Sequence, residues 1–284
     1  MKFRALMVES VAMRDFLNIS LSLAKFSKTC VLRLTKKKLY FIVSQEDGGP
    51  RTPLVWCELP SSFYFKEYNV SELSETHGEI YLEFSTILLS RSCSVLKQEV
   101  KSVKMKLTNK ENPCLTLEME LLALQCVHDI PVEIISRKHW SDYEEPVFSD
   151  FHVSIQMPYL KSLKNIVEQM KHLSQILTVR ANKSGELTLE IQTTTVNLKA
   201  HFPDLSVKSF AVNALLLSSN KDEATGADTV SAAVDIKKFL MFLSGMQLNN
   251  CTAVCNIVQG KIVKLSMEQP GALLMQIFLS QLSI

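Results

Sequence analysis

The 284 residues give about two domains at the usual ~150 residues each, and 46% hydrophobic with 21% charged residues suits a packed globular core, which excludes disordered and fibrous classes. The 8 glycines form neither G-x-G-x-x-G nor G-x-x-x-x-G-K, so the nucleotide-binding enzymes that cradle phosphate on those loops are excluded. With 31 basic and 29 acidic residues the formal net charge is +2, so no global field draws the chain to nucleic acid or membrane, and any such role must rest on local charge.

Taken in order, the chain opens on Met1-Lys-Phe-Arg-Ala-Leu, which lacks a signal-peptide core. An amphipathic helix follows near 10 to 27, burying Phe16, Ile19, Leu23 and Phe26 and turning Arg14, Asn18, Ser22 and Lys25 outward. Strands are expected at Cys30 to Thr35, Leu39 to Ser44, Leu54 to Glu58 and Glu79 to Phe84, with Lys36-Lys37-Lys38 as a solvated hairpin tip. A second helix falls near 86 to 97, then strands at Val103 to Asn109 and Cys114 to Leu121. The stretch Ser136 to Asp150 has no sustained period and reads as a connector. A third helix near 159 to 174 buries Leu160, Leu163, Val167, Met170 and Leu173 and exposes Lys161, Lys164, Glu168 and Lys171. Leu205 to Thr229 reads as a surface loop, and a fourth helix lies near 236 to 246.

The order strand, helix, strands, strand, helix, strands occurs once before residue 135 and once after residue 152. The pairs Leu39 and Leu187, Ile80 and Val230, and Leu115 and Val263 keep one offset to within two residues, which argues an internal duplication. Two similar units, each a set of strands with two helices, are therefore expected.

Seven scattered cysteines and no candidate membrane run point to a soluble protein of a reducing, intracellular compartment. Cys251 and Cys255 would share one face of a strand with Ala253 and read as buried core, and no second cysteine or histidine pair stands at zinc-ligand spacing. The six histidines are isolated, and Glu144-Glu145 reads as solvated charge. No cofactor, metal site or catalytic residue is expected. An enzyme whose site is assembled in space from scattered Cys and His remains the rival class. The helices carry Arg14, Lys25 and Lys28, Arg91 and Lys97, Lys161, Lys164 and Lys171, and Lys237 and Lys238, against few acids. Taken singly these are solvated helix faces, but their recurrence on four helices suits phosphate contacts without base reading.

Met1-Lys-Phe-Arg-Ala, Ala24-Lys-Phe-Ser-Lys-Thr-Cys, Trp56-Cys-Glu-Leu, Glu79-Ile-Tyr-Leu-Glu, Lys106-Leu-Thr-Asn-Lys, Pro113-Cys-Leu-Thr, His128-Asp-Ile-Pro-Val, Gly185-Glu-Leu and Cys255-Asn-Ile-Val follow one another along nearly the whole chain. In that order they resemble the PCNA-like sliding clamps and, within them, the Hus-one family of subunits of the nine-one-one DNA-damage checkpoint clamp. Two departures stand out: a tight turn before Val127, where the family often has a serine-rich loop, and the 205 to 229 segment.

The resemblance implies an α+β DNA clamp fold of two pseudo-repeated domains, each with two helices packed on antiparallel sheet, at 1–135 and 152–284, joined by a connector at 136–151. It implies a ring of three different subunits, the other two of Rad-nine and Rad-one type, which encircles double-stranded DNA without sequence specificity. A loader of the replication-factor-C type would place it at damage sites, where it serves checkpoint signalling and DNA repair enzymes. The compartment implied is the nucleus, with the cytoplasm as a second. Lys25, Arg91, Lys161, Lys164, Lys171, Lys237 and Lys238 are then the DNA-facing candidates. The ring contacts fall on the strands Val127 to Ile135 and Thr195 to His201, with Ile130, Val132, Ile134, Val196 and Leu198 as interface residues, and Pro131 fits an edge. Trp140, Tyr143, Val147 and Phe148 would dock partner proteins, or else tuck back onto their own sheets. The alternative function is a homotrimeric replicative clamp.

Overall fold

The computed structural model describes residues 2–44, 53–71, 78–148, 150–211, 229–245 and 251–282. The chain divides into two compact units, the first built mainly on Met1–Pro146 and the second mainly on Val147–Ser244.

The first unit runs β1 (Lys2–Met7), α1 (Ser10–Phe26), β2 (Thr29–Leu34), β3 (Lys38–Ser44), β4 (Pro53–Pro60), the single turn α2 (Ser61–Tyr64), β5 (Glu67–Ser71), β6 (Ile80–Ser85), α3 (Thr86–Cys93), β7 (Val100–Asn109), β8 (Pro113–Leu121) and β9 (Gln125–Ile134). Every pairing is antiparallel, in the order β5-β1-β7-β8-β9-β6-β2-β3-β4. Strand alternation sends Leu32, Phe41 and Leu82 to the face that the helices cover. Phe16 of α1 meets Phe41 at 6.0 Å between ring centroids, and Phe41 meets Phe84 at 6.2 Å, so one aromatic chain ties helix to sheet.

The second unit runs β10 (Val153–Gln156), α4 (Leu160–Met170), β11 (Ile176–Asn182), β12 (Leu187–Gln192), β13 (Asn197–Phe202), β14 (Val207–Phe210), β15 (Thr229–Asp235), α5 (Ile236–Gly245), β16 (Thr252–Val258), β17 (Ile262–Gln269) and β18 (Leu273–Ser280). Its pairings repeat those of the first unit. β10 pairs with β14 and β16 as β1 pairs with β5 and β7, and β11 pairs with β12 and β15 as β2 pairs with β3 and β6. The duplication read from sequence offsets is thus a duplication of pairing. Leu163, Val167, Met170, Phe239 and Phe242 form the buried faces of α4 and α5.

Several expectations shift. Ser22 is buried, because its hydroxyl donates to the Asn18 carbonyl (2.7 Å) and needs no water. Leu173 is exposed, since α4 ends at Met170 and Leu173 lies in the turn beyond it; Phe26 and Leu160 are half-buried. Cys255 is buried, but Cys251 precedes β16 and is half-buried. Within the expected 205 to 229 loop, Val207–Phe210 forms β14; residues 212–228 lie outside the described residues. The short elements α2 and β5 had no sequence signal long enough to register.

Gly185 turns the chain between β11 and β12 at φ +89°, and a Cβ there would collide with the Leu205 carbonyl. The Leu205 N–H donates to the Gly185 carbonyl at 2.8 Å, so this contact fixes the chain just after β13. Gly271, at φ +74°, has open space around it. Gly185→Ala is expected to lower the denaturant midpoint more than Gly271→Ala, which carries only the left-handed backbone cost of about 1–2 kcal/mol. Equal midpoints for the two variants would remove the close-approach argument.

Candidate nucleic-acid and subunit interfaces

Four helices display basic outer faces. On α1 the apolar positions Met13, Phe16, Ile19 and Leu23 face the sheet, leaving Arg14 and Lys25 in solvent. The acid beside Arg14, Asp15, is turned under and buried, and desolvation raises its pKa against the pull of Arg14. Burial therefore removes a negative charge from the exposed face of α1. Ser85 caps α3, its hydroxyl accepting from Leu88 N–H at 3.4 Å, and Arg91 is exposed on that helix beside Ile87 and Leu88.

In the second unit, α4 exposes Lys161, and Lys171 stands exposed at its C-cap, while Lys164 is half-buried, with its Nζ 3.7 Å from Glu168. Asp235 caps α5 by accepting from the backbone N–H groups of Lys237 (2.7 Å) and Lys238 (3.1 Å). That cap presents Lys237 to solvent and Lys238 half-buried. All seven basic candidates lie on or at the end of helices, and Lys164 shares its charge with an acid.

Of the two expected ring-contact stretches, β13 is an edge strand among the described residues, whereas β9 stands between β8 and β6 and is one-sided only in part. β9 pairs with β8 over Gln125 to Pro131, then changes neighbour and pairs with β6 over Val132 to Ile134. The change falls at Pro131, whose missing N–H suits the switch. β13 pairs with β12 alone. Alternation puts Ile130, Val132 and Ile134 on one face of β9, and Ile130 (1% exposed) and Val132 (5%) are buried there, so these two expected interface residues are structural, while Ile134 stands at the strand's end. Ile134 (44%) is exposed, and so are Val196, just before β13, and Leu198 on it.

The connector folds back. Residues Arg137–Tyr143 form a 3₁₀ segment that stacks Trp140 on Tyr81 at 4.6 Å, with the indole N–H donating to the Ile135 carbonyl (3.0 Å). Tyr143 is buried against Tyr81, and Phe148 is half-buried on Phe278 at 5.8 Å. Of the four expected anchors only Val147, 92% exposed, projects freely. Three aromatic rings tuck back because the sheet beneath offers matching rings. Arg33 lies 5.0 Å from the Tyr40 ring and 5.5 Å from Tyr81, held by Glu79 through bonds of 3.1 and 2.9 Å. Sequence reading missed this ladder, although Arg33, Tyr40 and Tyr81 meet as cross-strand neighbours.

The Hus1-like protein family model matches residues 1–283. The chain belongs to the Hus1-like family. It is 41% identical over 271 residues to the human "Checkpoint protein HUS1", covering 93% of each chain. Its fold is that of PCNA: the structures from Thermococcus kodakaraensis (TM-score 0.67, 13% identity, 98% and 99% of the two chains covered) and Entamoeba histolytica (0.71, 11%, 99% and 99%) share it.

In this Hus1-like chain four of the seven thiols are buried. Burial pushes Cys30 and Cys57 up, and Cys93 and Cys255 up to about 12, so all four stay protonated near neutrality. Among the described residues no three His, Cys, Asp or Glu side chains gather as a metal site.

Ile130→Asp is expected to cost more than ~4 kcal/mol and abolish the cooperative thermal transition of the isolated chain, because it buries an unpaired charge. A normally folded monomer would show that Ile130 is surface after all.

Carboxylates on or beside these two strands are held below their ordinary range. Hydrogen bonding from Lys110 (2.6 Å) lowers Asp129 on β9, that from Lys106 lowers its neighbour Glu118, and that from His201 of β13 (2.6 Å) lowers Glu186. A depressed carboxylate stabilises the fold above its unfolded value, here 3.8 for Asp and 4.5 for Glu, and that stability disappears as pH falls through the lowered folded value. Denaturation midpoints should hold from pH 7 to 5 and fall below about pH 4; Lys106→Ala with Lys110→Ala should flatten that acid limb.

Proposed function

We propose that this Hus1-like chain is one subunit of a heterotrimeric checkpoint sliding clamp that encircles DNA at damage sites and serves as a platform for signalling and repair proteins. The reading is supported by one observation above others: a duplicated unit whose strands β9, over Gln125 to Pro131, and β13 are each paired on one side only among the described residues, with Pro131 on the first and Lys199 and His201 on the second. Such a subunit needs a neighbour at each edge. In this reading the neighbours are clamp subunits of Rad-nine and Rad-one type, a loader of replication-factor-C type supplies the ATP-driven step, and the chain itself catalyses nothing. The site of action is the nucleus, with the cytoplasm as a second compartment.

The basic helix faces support the DNA half of the reading. Encirclement needs few phosphate contacts, so a chain of net charge +2 suffices. The connector supplies Val147 to partners, with its aromatic rings engaged beneath.

Three measurements test this. Light scattering should show the isolated chain as a monomer, and co-expression with the two presumed neighbours should yield a ring; a stable self-trimer would defeat the checkpoint reading in favour of a replicative clamp. Replacing Lys25, Lys161, Lys171 and Lys237 by alanine should leave assembly intact, weaken DNA association and reduce its salt slope by roughly one for each lysine that had neutralised a phosphate. Unchanged DNA binding would return those lysines to ordinary solvated surface.

A further inference from the structure

The turn joining β8 to β9 is closed by the Leu121 N–H donating to the Leu124 carbonyl at 2.9 Å, and the loop between them is Leu122-Ala123. Tight hairpins usually place Asn, Asp or Gly there, for their backbone freedom and their affinity for water. Here the turn carries Leu122, 68% exposed, and Leu124, 56% exposed, and Val127 of β9 (51%) follows on the same hairpin arm. Three large apolar side chains in six residues lie uncovered at the beginning of the strand whose edge is open. Beneath the turn runs a groove of about 500 Å³, lined by Leu6, Lys101, Lys104, Glu118, Glu120 and Leu124.

Two arguments select an occupant. The groove's charges are of both signs, and Lys104 lies 3.4 Å from Glu118, so it does not favour a polyanion such as DNA. An open strand edge is a strip only about 5 Å wide, whereas a stable protein contact takes roughly 800 Å² from each partner. Side chains continuous with the β9 edge must supply the difference, and the apolar tip is continuous with it through Val127.

We propose that the Leu122–Leu124 tip, with Val127, is the apolar anchor by which the β9 edge grips the neighbouring clamp subunit, and that it sets which neighbour is taken. This rests on the clamp-subunit reading. The neighbour must present an apolar surface beside its own edge strand. This chain's own edge strand β13, with Val196 and Leu198 exposed beside it, shows that such an edge can carry apolar surface. A neighbour with charge there would leave the tip leucines wet and bind weakly.

The test uses the full chain co-expressed with the two presumed clamp subunits. Leu122→Ser combined with Leu124→Ser should leave the thermal transition of the isolated chain within about 2 °C, because both side chains are already in water. The same pair should weaken binding to one neighbour roughly tenfold or more while leaving binding to the other unchanged. In parallel, Leu124→Cys should react with a maleimide quickly in the isolated chain and at least tenfold more slowly in the assembled ring. Wild-type affinity in the double-serine variant, or equal labelling in ring and free chain, overturns the anchor while leaving the clamp reading standing. A wild-type chain that folds but binds neither subunit overturns the clamp reading itself, and the anchor with it. A double-serine variant that assembles normally but loses a repair enzyme gives the tip to a client protein, which also overturns the proposal.

Discussion

An open strand edge must be paired, covered or made unattractive, and that requirement organises this molecule. Among the described residues β13 and the Gln125 to Pro131 stretch of β9 are paired on one side only, so both carry unused backbone donors and acceptors. β9 spends its last three residues on β6 and leaves Gln125 to Pro131 paired on one side only. Proline at the switch and charge along β13, where Lys199 and His201 point outward, discourage indiscriminate pairing. The edges are therefore guarded without being closed. That combination suits strands meant to pair with a chosen neighbour, since a single chain has no reason to protect an edge it has already buried.

The same economy explains why composition conceals the basic surfaces. Many strand cations are tied to acids: Arg33 to Glu79, Lys38 to Glu58, Lys106 and Lys104 to Glu118, Lys110 to Asp129, Arg180 and Lys199 to Glu190. These pairs cancel in the net charge. The helices follow another rule, with Asp15 folded under and lysines left on the outside, so a balanced total divides into neutral strands and basic helices. Local placement governs the field at DNA distance, because beyond about 8–10 Å salt screens the remainder.

Periodicity revealed the helices and long strands because their buried faces repeat, and it revealed the duplication because equivalent pairings need equivalent apolar registers. Which side of β9 faces the core was harder to read. Ile130 and Val132 look like edge residues in a strand flanked by charge, and only pairing with Leu115 and Phe84 turns them inward. Leu173 continued an apolar helical stripe, but the stripe outlasted the helix by a turn. The connector aromatics kept both readings open for a physical reason: a ring docks on its own sheet only if a partner ring waits there. Tyr81 is distant in sequence from Trp140, and nothing local announces it.

That docking constrains how the connector can be used. A partner that inserted between Trp140 and Tyr81 would have to replace a stacked ring, the cation–π contact of Arg137 with Trp140 at 5.8 Å, and the burial of Tyr143. Stacked aromatic pairs contribute about 0.5–1.5 kcal/mol beyond area burial, so displacement would cost a partner much of what a short peptide gains. The less costly route leaves the ladder in place and reads what it holds outward: Val147 and the polar backbone around it. In the proposed reading the aromatic residues would serve recognition indirectly, by fixing the path of the segment that a partner meets.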